Sequence, residues 1–309
     1  MKGPLFYAKI LLFGEYGIIK DAKGLSIPYN FYKGALKTTN TKSPQALSSN
    51  AKLRDYVTYL QNLDATLVRF NLDRFQRDLD KGMYFDSSIP QGYGIGSSGA
   101  LVAAIYDRYA VDKITILENL TREKLLKLKD IFIAMESFFH GKSSGLDPLN
   151  SFLSLPILIH SKNHLEPTGI PSQQRSGQGA VFLLDSGVIG ETAPMVSIFM
   201  NQMESPAFRK MIKEQFIAYS DSCVEDFLKG DVKSLFGNLK QLSGVVLKHF
   251  KPMIPKKFHT LWQQGIETNA YYLKLCGSGG GGYMLGFTQD LKQAQTMLKD
   301  HRIEVVYTF

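Results

Sequence analysis

The run Pro90-Gln91-Gly92-Tyr93-Gly94-Ile95-Gly96-Ser97-Ser98-Gly99-Ala100, leading into the apolar segment Leu101-Val102-Ala103-Ala104-Ile105, most constrains what this chain can build. Glycines at 92, 94, 96 and 99 let a backbone turn tightly and come close to an anion. Ser97 and Ser98 can cap the helix that follows and offer hydroxyls to phosphate or metal. The free amides at that helix start supply positive partial charge. A phosphate-binding loop running into a helix is the expectation.

At 309 residues, 44% hydrophobic and 21% charged, the chain is long enough for one large or two ordinary domains with a sizeable core. Its formal charge of +8 suits anionic ligands such as nucleotide phosphates or a small carboxylate, and equally a solvated surface of scattered lysines. No basic run with interleaved aromatics points to nucleic acid, and Lys251, Lys256 and Lys257 among Pro252 and Pro255 read as a loop. Cys223 and Cys276 are too few for a disulfide framework or a zinc site, which indicates a reducing compartment, by default the cytoplasm. Lys9 and Glu15 interrupt the apolar N-terminal stretch, and no window approaches ~18 uncharged apolar residues. Neither secretion nor membrane spanning is expected.

Residues 6–20 read as a short strand, a Gly-Glu turn and a second apolar piece. The Ser/Thr/Asn-rich stretch 37–50 suggests a flexible loop, and 51–81 carry apolar residues at helical spacing, giving helices to cover a sheet. From Thr121 to His140, Leu125, Leu128, Phe132, Met135 and Phe139 recur at steps of three and four, an amphipathic helix stopped by Gly141. Glu136 falls in its last turn, where the helix dipole disfavours an acid by roughly 0.3–1 kcal/mol, so a compensating cation is expected, a metal being one choice. The polar stretch 161–179 marks a domain boundary. A strand at 180–184 follows, then helical patterns at 194–203, 206–229, 231–250 and 256–268. Two strands flank Gly277–Gly282, and 303–309 form a closing strand.

Several motifs have rival meanings. Gly94-Ile95-Gly96-Ser97-Ser98-Gly99 fits the dinucleotide fingerprint, but Pro90-Gln91-Gly92 intervenes where a buried strand should lead in, and no clear strand followed by an acid comes after it. Residues 136–143 nearly match a Walker A loop, yet Glu136 occupies its first glycine and a helix, not a strand, leads in. The glycine tract 277–282 is either a linker or a loop that must approach phosphate or the other glycine loop; its place between two apolar strands favours the second. Asp147 alone reads as a turn-capping aspartate, and Lys9 alone as a strand lysine that snorkels or pairs with a carboxylate.

Taken in order, the pieces resemble the GHMP kinase superfamily. Lys9-Ile10-Leu11-Leu12-Phe13-Gly14-Glu15-Tyr16 is similar to its opening K-x-x-L-x-G-E-H, residues 90–100 to P-x-x-x-G-L-G-S-S-A, and 274–282 to K-x-x-G-A-G-G-G-G. Within the superfamily, Glu136 with His140–Asp147 resembles the E-x-x-x-H-G-x-P-S-G-x-D segment of mevalonate kinases, and Asp185-Ser186-Gly187 with Thr192 a D-T-G…T segment. Tyr16 stands for the usual histidine, Gly99 and Ser278 for alanines, Ser143 for proline, and Leu155-Pro156 for a Gly-Gly pair.

The resemblance implies an α+β protein of two domains with the active site in the cleft between them. An N-terminal nucleotide-binding domain would span 1–170, with the closing strand 303–309 allowed to join it, and a ferredoxin-like α/β sandwich 171–309. It implies ATP on Gly92, Gly94, Gly96, Ser97 and Ser98 and on Gly277, Gly279 and Gly280. Mg²⁺ would be held by Ser97 or Ser98 and by Glu136. Asp147 and Lys9 would be the catalytic pair, and Glu15, Tyr16, Gly145 and Thr192 would contact the acceptor. The implied activity is transfer of the ATP γ-phosphoryl group to mevalonate. The alternatives are another acceptor, such as phosphomevalonate or a sugar, and a catalytically silent binding protein on the same fold. A small-molecule partner is expected, with no nucleic acid or membrane, and a homodimer is allowed.

Overall fold

The computed structural model describes residues 3–40, 43–115, 120–174 and 177–309. The chain divides into two compact units. Met1–Lys9, Pro28–Pro90 and Gly96–Leu155 make the first, and Ile10–Ile27, Gln91–Ile95 and Pro156–Phe309 the second.

The first unit holds the start of β1 (Phe6–Phe13), the longer part of β2 (Gly24–Thr38), α1 (Pro44–Gln61), β3 (Arg69–Phe70), α2 (Leu72–Asp80), β4 (Met83–Ser87), α3 (Ser97–Tyr109), β5 (Ala110–Val111), α4 (Arg122–His140) and α5 (Leu146–Leu153). β2 pairs antiparallel with β4, Gly34 opposite Ser87 and Thr38 opposite Met83. The stretch 37–50, expected as a loop, instead ends β2 and begins α1; residues 41 and 42 lie outside the described residues. Its polar composition serves a helix cap. Ser43 accepts the Ala46 amide at 3.2 Å and Pro44 occupies the first turn, where its missing N–H costs nothing. Leu53, Tyr56, Val57 and Leu60 then bury one face of α1. The hydroxyls of Tyr56 and Tyr59 donate to the Met135 and Ala134 carbonyls, fixing α1 beside α4. α4 matches its sequence reading closely, with Thr121 as N-cap and Gly141 at φ 70° as stop. α5 was not foreseen. Every residue in it except Asp147 is buried, so the Asp-Pro turn is the first turn of a core helix.

In the second unit the start of β2 pairs with β6 (Ile157–Ser161), which pairs with β7 (His164–Pro167). After residue 167 come β8 (Ala180–Asp185), α6 (Thr192–Gln202), and α7 (Pro206–Met211), continued through a π turn into α8 (Ala218–Lys229). α9 (Val232–His249), α10 (His259–Thr268), β9 (Tyr272–Leu275), β10 (Tyr283–Thr288), α11 (Leu291–Met297) and β11 (Ile303–Thr308) complete it. The antiparallel sheet runs β11-β8-β10-β9. Its central strand β8 is an unbroken apolar run, Ala180 to Leu184, wholly buried as a doubly covered strand requires. The closing strand, which the sequence left to either domain, pairs with β8. Among the described residues no helix is long and apolar enough to cross a membrane.

Candidate active site

In the first unit, Gly96 is the N-cap of α3 at φ 79°, a left-handed conformation that a side chain would strain. Ser97 and Ser98 are therefore the first helical residues, not caps: no side chain caps α3, and both hydroxyls are left for other partners. Ser98 Oγ donates to Glu136 Oε1 at 2.9 Å and lies 3.0 Å from His140 Nε2. The other Glu136 oxygen accepts from Ser143 Oγ at 2.5 Å. Glu136 is 3% exposed. Burial, and next the charge of Asp147, push its carboxyl up to about 7, against the pull of the two serines and Lys9. The acid at the helix end is thus met by two hydroxyls.

Lys9 Nζ lies 2.9 Å from Asp147 Oδ1, with side chains 6% and 31% exposed. Lys9 is the one charge in the apolar β1, and Asp147 the one residue of α5 that is not buried. A Cβ on Gly96 would sit 3.0 Å from Lys9 Cγ and 3.5 Å from Asp147 Oδ2, so the start of α3 abuts the pair. Gly99, where the resemblance led us to expect alanine, sets how closely α3 and α5 approach. A Cβ there would fall 2.6 Å from the Asp147 carbonyl carbon and 2.7 Å from Pro148 N. Lys9, Gly96, Ser98, Glu136 and Asp147 are thereby gathered in one unit. Gly145 is the N-cap of α5 and packs on α4, where its Cβ would meet the Lys129 carbonyl at 2.5 Å.

In the second unit, Glu15 and Lys274 form a buried ion pair at 2.5 Å, and Lys274 also donates to the Leu275 carbonyl. Tyr16, at φ 59°, stacks near Phe199 and Phe250 and donates its hydroxyl to the Ser278 carbonyl at 2.7 Å. Burial pushes that phenol well above its usual range. The two glycine loops interlock. A Cβ on Gly94 would lie 2.3 Å from the Cys276 carbonyl oxygen, and one on Gly282 2.5 Å from Tyr93 Cα. Gly190 N donates to the Gly92 carbonyl, Gly280 N to the Met253 carbonyl, and Tyr283 N to the Tyr93 carbonyl. Gly277 and Gly279 share the positive φ of this tract, and Thr192 Oγ1 lies 3.4 Å from Ser278 Oγ.

Ser143, His140 and Lys274 stand in the quoted motifs but were given no role at the site. Lys274 also carries a signal of its own, as the lone charge in an apolar strand, the mirror of Glu15 in its apolar turn. A cavity of about 460 Å³ in the first unit, lined by Phe6, Arg74, Ala104 and Lys113 among others, contains none of the candidate residues.

Residues 64–154 match the family model of the GHMP kinases N terminal domain. No curated protein matches the chain. Among solved structures, L. major mevalonate kinase in complex with R-mevalonate is similar at 20% identity and a TM-score of 0.62, over 97% of this chain and 93% of that one. Methanococcus jannaschii mevalonate kinase is 16% identical, with 99% and 98% covered and a TM-score of 0.59. Streptococcus pneumoniae phosphomevalonate kinase in complex with phosphomevalonate and AMPPNP is 13% identical, with 100% and 99% covered and a TM-score of 0.60. At these identities the likeness is one of fold. Residues 64–154 thus match a GHMP kinase N-terminal domain, and the fold of the whole chain is like that of mevalonate kinases.

Proposed function

We propose that this protein is an ATP-dependent kinase of a small alcohol, with mevalonate as acceptor and ADP and 5-phosphomevalonate as products. The Lys9–Asp147 pair carries the reading: a buried ammonium holds a carboxylate that is itself only partly buried. Asp147 orients the acceptor hydroxyl and takes its proton, while Lys9 stabilises negative charge on the acceptor oxygen and the transferring phosphoryl group. The ammonium also weakens Asp147 as a base. A loose phosphoryl-transfer transition state needs little early deprotonation, so positioning and charge stabilisation dominate.

Gly92, Gly94, Gly96 and the amides opening α3, with Gly277, Gly279 and Gly280, would take the ATP phosphates. Mg²⁺ neutralises phosphate charge when bound, and Ser97, Ser98 and Glu136 would hold it. Ser98 and Glu136 already bring two oxygen donors together, which suits this hard cation. Glu15, Tyr16, Gly145 and Thr192 are assigned to the acceptor by resemblance only. The engaged hydroxyl of Tyr16, standing where a histidine is expected, favours a second reading: the same chemistry on phosphomevalonate or a sugar.

A coupled ADP-release assay with Mg·ATP and a panel of mevalonate, phosphomevalonate, galactose and homoserine tests both. Turnover of mevalonate supports the first reading, and turnover of another member alone supports the second. No turnover with any acceptor, despite ATP binding, would make the chain a silent binding protein.

A further inference from the structure

The β6–β7 hairpin has two faces set by its register. Ile157, Ile159 and Leu165 are buried. Leu158 lies opposite Glu166, Ile159 opposite Leu165, and Ser161 opposite His164. Two residues of β6 therefore span one step of β7, and His160 is the extra residue of a bulge. Counting by twos from the Leu158–Glu166 pair puts His160 and His164 on the outward face together with Glu166.

Three metal-binding side chains meet there. The His160 and His164 rings stack with centroids 4.4 Å apart, His160 Nε2 lies 3.0 Å from Glu166 Oε1, and one ligand atom from each residue falls within 4.8 Å of the others. A surface His–Glu contact by itself stabilises a hairpin little. It leaves the convergence of a second imidazole unexplained. Two imidazoles and a carboxylate on adjacent strands form a chelating set, and the bulge is a common way to re-aim a side chain.

We propose that His160, His164 and Glu166 form a surface site for a borderline transition-metal ion, Zn²⁺ foremost, with water completing its coordination. Nitrogen donors select Zn²⁺ over Mg²⁺ or Ca²⁺, which prefer all-oxygen shells. The site is thus chemically distinct from the Ser98–Glu136 oxygens, and it is independent of the kinase reading.

The test is calorimetric titration of the full-length, chelator-treated protein with Zn²⁺ alone, without nucleotide, beside His164→Ala, Glu166→Gln and the double variant His160→Ala/His164→Ala. Wild type should bind one equivalent saturably. Glu166→Gln and His164→Ala should each bind about tenfold more weakly or worse, and the double variant should lose the site. Mg²⁺ in place of Zn²⁺ should give no such isotherm for wild type and double variant to differ by. Because these side chains face outward, the double variant should keep the metal-free circular dichroism and unfolding temperature of wild type. Histidine ring resonances of wild type should shift on adding Zn²⁺. Absence of saturable binding to wild type, or equal binding by the double variant, would overturn the assignment.

Discussion

At the scale of single residues, the proposed catalytic role of the Lys9–Asp147 pair can be tested apart from binding. Asp147→Asn keeps size and hydrogen-bonding capacity but removes the charge, so kcat should fall by about 10²–10⁴-fold with KM for ATP little changed. Steady-state kinetics decide it, and near-wild-type kcat would remove Asp147 from the chemistry. Glu136 tests electrostatics. Its carboxyl is raised from the ordinary 4.5 to about 7, so its contribution to metal-free stability is fully present below pH 4.5 and is lost as pH rises through about 7. Relative to Glu136→Gln, wild type should therefore lose stability across that window, as urea midpoints at a series of pH values would show. The Lys274–Glu15 pair is a third case. Lys274→Met takes the ammonium away from a buried carboxylate and should cost about 3–5 kcal/mol, whereas adding Glu15→Gln should recover part of that loss in a double-mutant cycle.

Elements that follow from local chemistry were legible, and those fixed by distant packing were not. α4 has an apolar stripe, a threonine cap and a glycine stop, three signals that agree. α5 has eight residues, seven of them buried, so it shows no polar face to give a period, and Asp147-Pro148 looks like a turn until α3 and α4 supply its walls. Contact between α3 and α5 depends on Gly99. Gly99→Ala should force these helices apart, costing about 1–3 kcal/mol and displacing Asp147 from Lys9. Thermal unfolding and kcat should both fall. A variant with wild-type stability would show that α5 yields freely.

At the scale of the whole molecule, both cysteines lie inside, Cys223 at 0% and Cys276 at 2% exposure. An aromatic disulfide reagent should label neither at a measurable rate in the native protein and both after denaturation; rapid native labelling would mean that the fold opens locally at these sites. The candidate site was legible because its chemistry needs rare residues in unfavourable places: a lysine in an apolar strand, an acid at a helix end, glycines where a strand would otherwise continue. Ser143, His140 and the pairing of Lys274 were hidden because serine, histidine and lysine are ordinary surface residues until burial gives them a partner. The interlocked glycine loops carry a consequence for variation. Gly94 meets Cys276, and Gly282 meets Tyr93, main chain against main chain, with no side chain able to rotate aside. Tolerance to substitution there should be all-or-none: Tyr93 or Ser278 can change what the surface presents to a ligand, while a single methyl at Gly94 or Gly282 has nowhere to go. Side chains around those loops can therefore vary far more readily than the backbone of the loops can be reshaped.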